Sequence, residues 1–143
     1  MKKNKIVEII GGIHRVASVN EQPEIILQRW SVREVSGYLG QTNRRTRHFV
    51  GWNVEDSEGR ASTPIIMYDP VTCRGKTESG RVYELRGDPG FQADAEYIWK
   101  RWAKINAVTD EADVTVEYAP HKPTLDDVRD EVGRGENTGR FSR

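Results

Sequence analysis

Phe91, Ala95, Ile98, Trp102 and Ile105 are spaced by four, three, four and three residues. This period of about 3.5 sets one aromatic-rich stripe along one face of a helix. The charges agree: Asp94 and Glu96 fall in its first turns, and Lys100, Arg101 and Lys104 in its last, as the helix dipole favours. The spacing predicts a helix over residues 91–106. Its stripe must cover another element, and the other aliphatic residues suggest which kind. The chain has 14 Val and 10 Ile against 4 Leu, with 9 Thr. β-Branched side chains are stiff at χ1 and pack well on a pleated surface, so they point to a sheet.

Residues 6–10 and 13–19 flank Gly11-Gly12, a pair able to take the positive φ values of a two-residue hairpin turn. Residues 25–35 read as a long strand after Pro23. Val50, Trp52 and Val54 share one face of a strand over 47–54, and residues 55–59 turn the chain back. Residues 61–68 return, with Pro64 marking an edge or a bulge. Short strands over 72–77 and 81–86 follow turns at Asp69-Pro70 and at 78–80, and 114–118 reads as one more strand. Beyond Pro120, Thr124 and Asp127 cap a short helix over 125–132, and 133–143 has no apolar pattern. The expected fold is α+β: a curved antiparallel sheet or partial β-barrel, built as a meander and covered by one amphipathic helix. A short C-terminal helix and a loose tail complete it. Residues 1–119 are expected to form a single strand-rich domain, and 120–143 a charged, partly disordered extension.

With 143 residues the chain suffices for one ordinary domain. Lys and Arg total 22 and Asp and Glu total 22, so gross charge draws it neither to nucleic acid nor to acidic membrane. Its single Cys cannot form an internal disulfide, and no stretch approaches the ~18 apolar residues of a membrane span. The N-terminal apolar run is too broken for a signal peptide, so the expected location is the cytoplasm, without membrane association. Charge is segregated all the same. Residues 29–51 hold Arg29, Arg33, Arg44, Arg45 and Arg47 against Glu34, whereas residues 88–131 hold 11 acids against 5 bases. Such asymmetry suits a charged partner.

Chemical motifs are sparse. Gly75-Lys76-Thr77 matches the end of a phosphate loop, but Pro70 stands where the first glycine is needed and Ser79-Gly80 cuts off the helix that should follow. Cys73 lies near Arg74 and Lys76, whose charges would favour a thiolate, which leaves a small enzyme using Cys73 with a histidine as one alternative. His14, His48 and His121 have no short-range pairing, so neither a metal site nor a cofactor is expected. A sharper alternative is a DNA-binding helix-turn-helix over residues 31–50. Ser31 and Glu34 would form a capping box, Gly40 the turn, and Asn43, Arg44, Arg45 and Arg47 the recognition surface. Gln41 and Thr46 stand where that motif needs apolar residues, so a strand, an arginine-rich loop and a second strand compete with it. In either form Arg44, Arg45 and Arg47 are candidate partner-binding residues. Trp99, at the margin of the helix stripe, is the fourth.

Trp30-Ser31-Val32, the run from Thr46 to Trp52, the run from Ser79 to Leu85 and the helix from Glu96 to Trp102 resemble a group of short bacterial proteins associated with mobile elements. The resemblance spans roughly residues 30–115 and carries no assigned activity. It implies an accessory protein that occupies a host surface. The expected function is therefore non-catalytic binding of a macromolecule, such as inhibition of a host defence complex in the manner of an anti-CRISPR protein. The expected partner is a protein or nucleoprotein complex, with nucleic acid as an option through residues 44–47.

Overall fold

The computed structural model describes residues 18–120. The hairpin expected around Gly11-Gly12, the helix expected over 125–132 and the C-terminal tail lie outside the described residues.

The β-branched segments form β1 (Glu24–Ser36), β2 (Arg45–Asn53), β3 (Glu58–Ala61), β4 (Ile65–Asp69), β5 (Arg74–Thr77) and β6 (Val82–Leu85). Helix α1 (Ala93–Ile105) follows, then β7 (Thr109–Asp113). The strand order is β3-β2-β1-β6-β5-β4, and β7 pairs separately with β1. Every neighbouring pair is antiparallel except β1 with β6, which run parallel. The simple meander is thus interrupted, because β1 lies between two later hairpins.

Following these senses along the order, β3 and β4 run in the same direction as β1, from opposite ends of the row. They are consecutive in the chain, joined by residues 62–64 alone. In a flat sheet they would lie roughly 24 Å apart, whereas three residues bridge at most roughly 14 Å. The sheet must therefore curl. It does so into an open, seven-stranded partial barrel in which one bent segment, β3 and β4, exchanges β2 for β5 as its partner. Hydrogen bonds hold the bend on both sides. Ser62 N donates to Phe49 O, and Ser62 Oγ accepts from Phe49 N, each at 2.9 Å. On the other side, Glu78 N donates to Pro64 O at 2.8 Å and Ser79 N to Thr63 Oγ1 at 3.2 Å.

Curling gives the sheet an inner and an outer face. Ile25, Leu27, Trp30, Val32, Phe49, Tyr83, Leu85 and Val114 fill the inside. Leu27 and Trp30, three residues apart, would face opposite ways in a regular strand. A bulge between Gln28 and Ser31, with Arg29 at φ 48°, inserts one residue and turns both inward. Gly75 leaves space inside for the Phe49 ring, whose Cζ would lie 2.5 Å from an added Cβ.

On the outside, α1 covers β2 and β3 and the adjoining part of β1. Val35, Val50 and Ala61 meet Ala95, Trp99 and Trp102, and Gly59 permits the approach, since an added Cβ would lie 2.7 Å from the Ala95 backbone. The helix begins at Ala93, capped by Gln92 Oε1 accepting from Ala95 N at 2.7 Å. Phe91 therefore precedes it and is 70% exposed. The buried stripe is Ala95, Trp99 and Trp102, flanked by Ile98 and Ala103; it shares Ala95 and Trp102 with the expected stripe and adds Trp99.

The strand expected over 114–118 lies instead at Thr109–Asp113, and Thr115–Glu117 is a 3-10 turn. All five β7 residues are exposed, so no apolar alternation announces this strand. The free edge of β1 captures it, and Arg33 draws in Glu111 and Asp113.

Candidate functional site

The segment 31–50 is not a helix-turn-helix. β1 continues to Ser36, a 3-10 turn at Tyr38–Gly40 follows, and β2 begins at Arg45, paired antiparallel to β1. Alternate β-branched side chains on this segment fill the two faces of a sheet, which a helix could not do. A strand, a loop and a second strand are found, with Arg44 in the loop and Arg45 and Arg47 in β2.

The three candidate arginines have partners within the chain. Arg44 pairs with Glu78. Arg45 Nη2 lies 3.0 Å from Glu34 Oε1, and Arg47 Nε lies 2.9 Å from Glu34 Oε2. Arg47 Nη1 reaches Glu117 Oε1 at 2.8 Å, and its guanidinium sits 5.8 Å from the Tyr118 ring centre. Hydrogen bonding to Glu117 raises the Arg47 pKa above its ordinary value, and the bond from Arg47 holds the Glu34 carboxyl below its own. The local excess of +4 in the sequence is thus largely offset by acids from distant segments.

Trp99, the fourth candidate, does not lie at the surface. It is 1% exposed, stacked on Trp102 with ring centres 5.0 Å apart and covered by the Arg33 guanidinium at 5.7 Å. Buried in this way, it offers no partner contact. Arg33 bonds Glu96, Ser31 Oγ at 3.1 Å and Glu111 Oε2 at 2.9 Å. Burial alone would lower its pKa, but these hydrogen bonds and the two carboxylate charges raise it. This side chain ties β1, α1 and β7 together. Beside it lies an open cleft of about 360 Å³ lined by Trp30, Phe91, Glu96 and Asp113 among others.

Cys73 occupies the β4–β5 turn at φ 59° and packs against the inner core, whereas His48 packs on the outer side against Tyr38, Trp99 and Trp102. The sheet separates them. His14 lies outside the described residues. Among the described residues no group of three or more His, Cys, Asp or Glu could hold a metal ion.

The remaining feature is the outer face of the β4–β5 hairpin, which α1 does not reach. Ile65 pairs with Thr77 and Met67 with Lys76, so Ile66 is the extra residue of a bulge. Ile65 and Tyr68 pack on the inner core, while Ile66 and Met67 both face out, 57% and 63% exposed. Lys76 is exposed across from Met67, and Val71, at the hairpin tip, is 88% exposed. Among the described residues, β4 ends the strand order and has a ladder on one side only. The other terminal strands are protected, β3 by the helix and β7 by Asp110, Glu111 and Asp113. The run Ile65-Ile66-Met67 between two prolines carries a signal for this surface: three consecutive apolar residues in a strand cannot all face inward. Comparison with protein-family models, curated proteins and solved structures finds no match.

Proposed function

We propose that the protein acts without catalysis, by binding a partner protein along β4 and the outer face of the β4–β5 hairpin. The observation that carries this reading is the bulge that turns Ile66 and Met67 outward on a sheet edge that no described strand pairs. Unpaired backbone groups on an edge strand favour an added strand, and the alternate side chains set its specificity. Lys76, which no acid among the described residues pairs, favours a partner strand with apolar side chains and a carboxylate. Internal pairing of Arg44, Arg45 and Arg47 favours a protein over nucleic acid, because phosphate binding needs free cations. No helix of the described residues is long and apolar enough to cross a membrane. The resemblance to mobile-element proteins favours a host complex as the source of the partner strand.

Full-length protein used as bait in extract of the native host, with each captured protein identified, tests this reading. Ile66→Asp with Met67→Asp should weaken capture of the partner at least tenfold, while Arg45→Ala with Arg47→Ala should leave it nearly unchanged. The reverse pattern, capture of nucleic acid alone, or loss of self-association as the only effect of the aspartates would each reject it.

A further inference from the structure

Arg29 takes φ 48° in the bulge of β1, a conformation that strains an arginine and not a glycine. Burial of Leu27 and Trp30 explains the extra residue, but any residue that tolerates positive φ would serve them. The arginine side chain does not hold the fold by pairing. It is exposed, and neither it nor Gln28 has a side-chain hydrogen bond or ion pair with a described residue. Strain kept at a residue whose side chain no internal group uses points to a ligand that does use it.

The side chain stands at an open cleft of about 300 Å³ lined by Gln28, Arg29, Trp52 and Gln92. Gln28 lies across from Trp52 on the paired strands β1 and β2. Trp52, two residues on from Val50, shares its outer face and adjoins the start of α1, where Gln92 is the cap. Gly90 N donates to Trp30 O at 3.0 Å, and an added Cβ on Gly90 would lie 3.9 Å from Arg29 Cβ. The link into α1 thus fixes the base of the Arg29 side chain.

The lining has a cation, an indole and two carboxamides, and no acid. Gln92 Oε1 accepts from Ala95 N at 2.7 Å, which leaves its amide NH2 to donate into the cleft. Arg29 adds the planar fork of its guanidinium, and Gln28 a second amide. A cleft so rich in donors takes an oxyanion. Donors on three side chains suit the three terminal oxygens of a phosphate monoester better than the two of a carboxylate. Trp52 is half-buried, so part of its ring is open to a planar group. We infer that this cleft binds a small phosphate monoester bearing a planar ring, of the nucleoside monophosphate class. Its phosphate lies on Arg29 and its ring against Trp52.

Tryptophan fluorescence reads this cleft selectively. Trp30, Trp99 and Trp102 are 0%, 1% and 0% exposed, so Trp52 is the indole that a neutral quencher reaches. The test measures acrylamide quenching of the full chain as AMP, GMP, CMP and UMP are added in turn, with adenosine and inorganic phosphate as controls. At least one nucleotide should protect Trp52 saturably, and adenosine and phosphate should each bind at least tenfold more weakly. Arg29→Gly, which suits the bulge, should weaken that nucleotide at least tenfold without lowering Tm. Arg29→Asn, which also accepts positive φ, should do the same and decides the matter if the glycine variant does not fold. The proposal fails if none of the four nucleotides protects Trp52, or if adenosine or phosphate alone matches the nucleotide. It fails equally if the Arg29 variants bind like the wild type. Neither β4 nor a partner protein enters this experiment, so its outcome is independent of the binding role proposed for that edge.

Discussion

His48 is held by both ring nitrogens. Nδ1 donates to the Ser62 carbonyl at 2.9 Å, which leaves Nε2 to accept from Thr46 Oγ1 at 2.7 Å, so the neutral ring fits its site. It is fully buried, and burial lowers its pKa to about 3. The unfolded chain binds this proton below about pH 6.5, whereas the folded chain does not until about pH 3. Stability from this group is therefore complete above pH 6.5 and falls with pH below it, by roughly 2 kcal/mol at pH 5. Denaturant midpoints measured from pH 7.5 to 5 should show this loss, and His48→Gln should flatten it. The sequence marks His48 only as a lone histidine, because its environment comes from Tyr38 across a turn and from Trp99 and Trp102, more than fifty residues away along the chain. Arg44, Arg45 and Arg47 mislead for the same reason. Their cationic cluster is legible, but the neutralising Glu78 and Glu117 arrive only through folding.

The long strand β1 is legible from residues 25–35, yet its bulge is not. Nothing in Gln28-Arg29-Trp30 announces that Arg29 takes φ 48°, because an arginine rarely adopts that conformation without tertiary reward. The reward is Trp30, 0% exposed and bonded through Nε1 to Gly87 O at 3.0 Å. Arg29→Gly should retain the fold and gain up to about 1 kcal/mol, since glycine takes positive φ without strain. Deleting Arg29 should abolish cooperative unfolding, because a one-residue slip sends either Leu27 or Trp30 outward. Thermal melts of the two variants check both outcomes. Helix α1 was legible from its period, and Ala95 and Trp102 of its expected stripe are buried, but Trp99 is buried more fully than Ile98 and Phe91 lies outside the helix. Trp99, Trp102 and Ala95 face the sheet because Gly59 sits beneath Ala95. The strand β7 has no apolar pattern to read, since a backbone edge and the charge of Arg33 place it.

The curled sheet follows from strand order and one short link, and α1 packs on the outer face of β2, β3 and the adjoining part of β1. The α+β class and the curved sheet were legible from β-branched content and a single helical period. The parallel pairing of β1 and β6 was not, because periodicity shows which residues face a core and not which strand lies beside which. The candidate site shifted with the fold, from an arginine cluster whose charges are paired to an apolar edge that no described strand pairs. Hydrogen exchange of the full chain, free and bound to its captured partner, separates these two surfaces. The account predicts slowed exchange confined largely to residues 65–69 and 74–77 in the complex. Slowing over 41–47, with residues 65–69 unchanged, would contradict it.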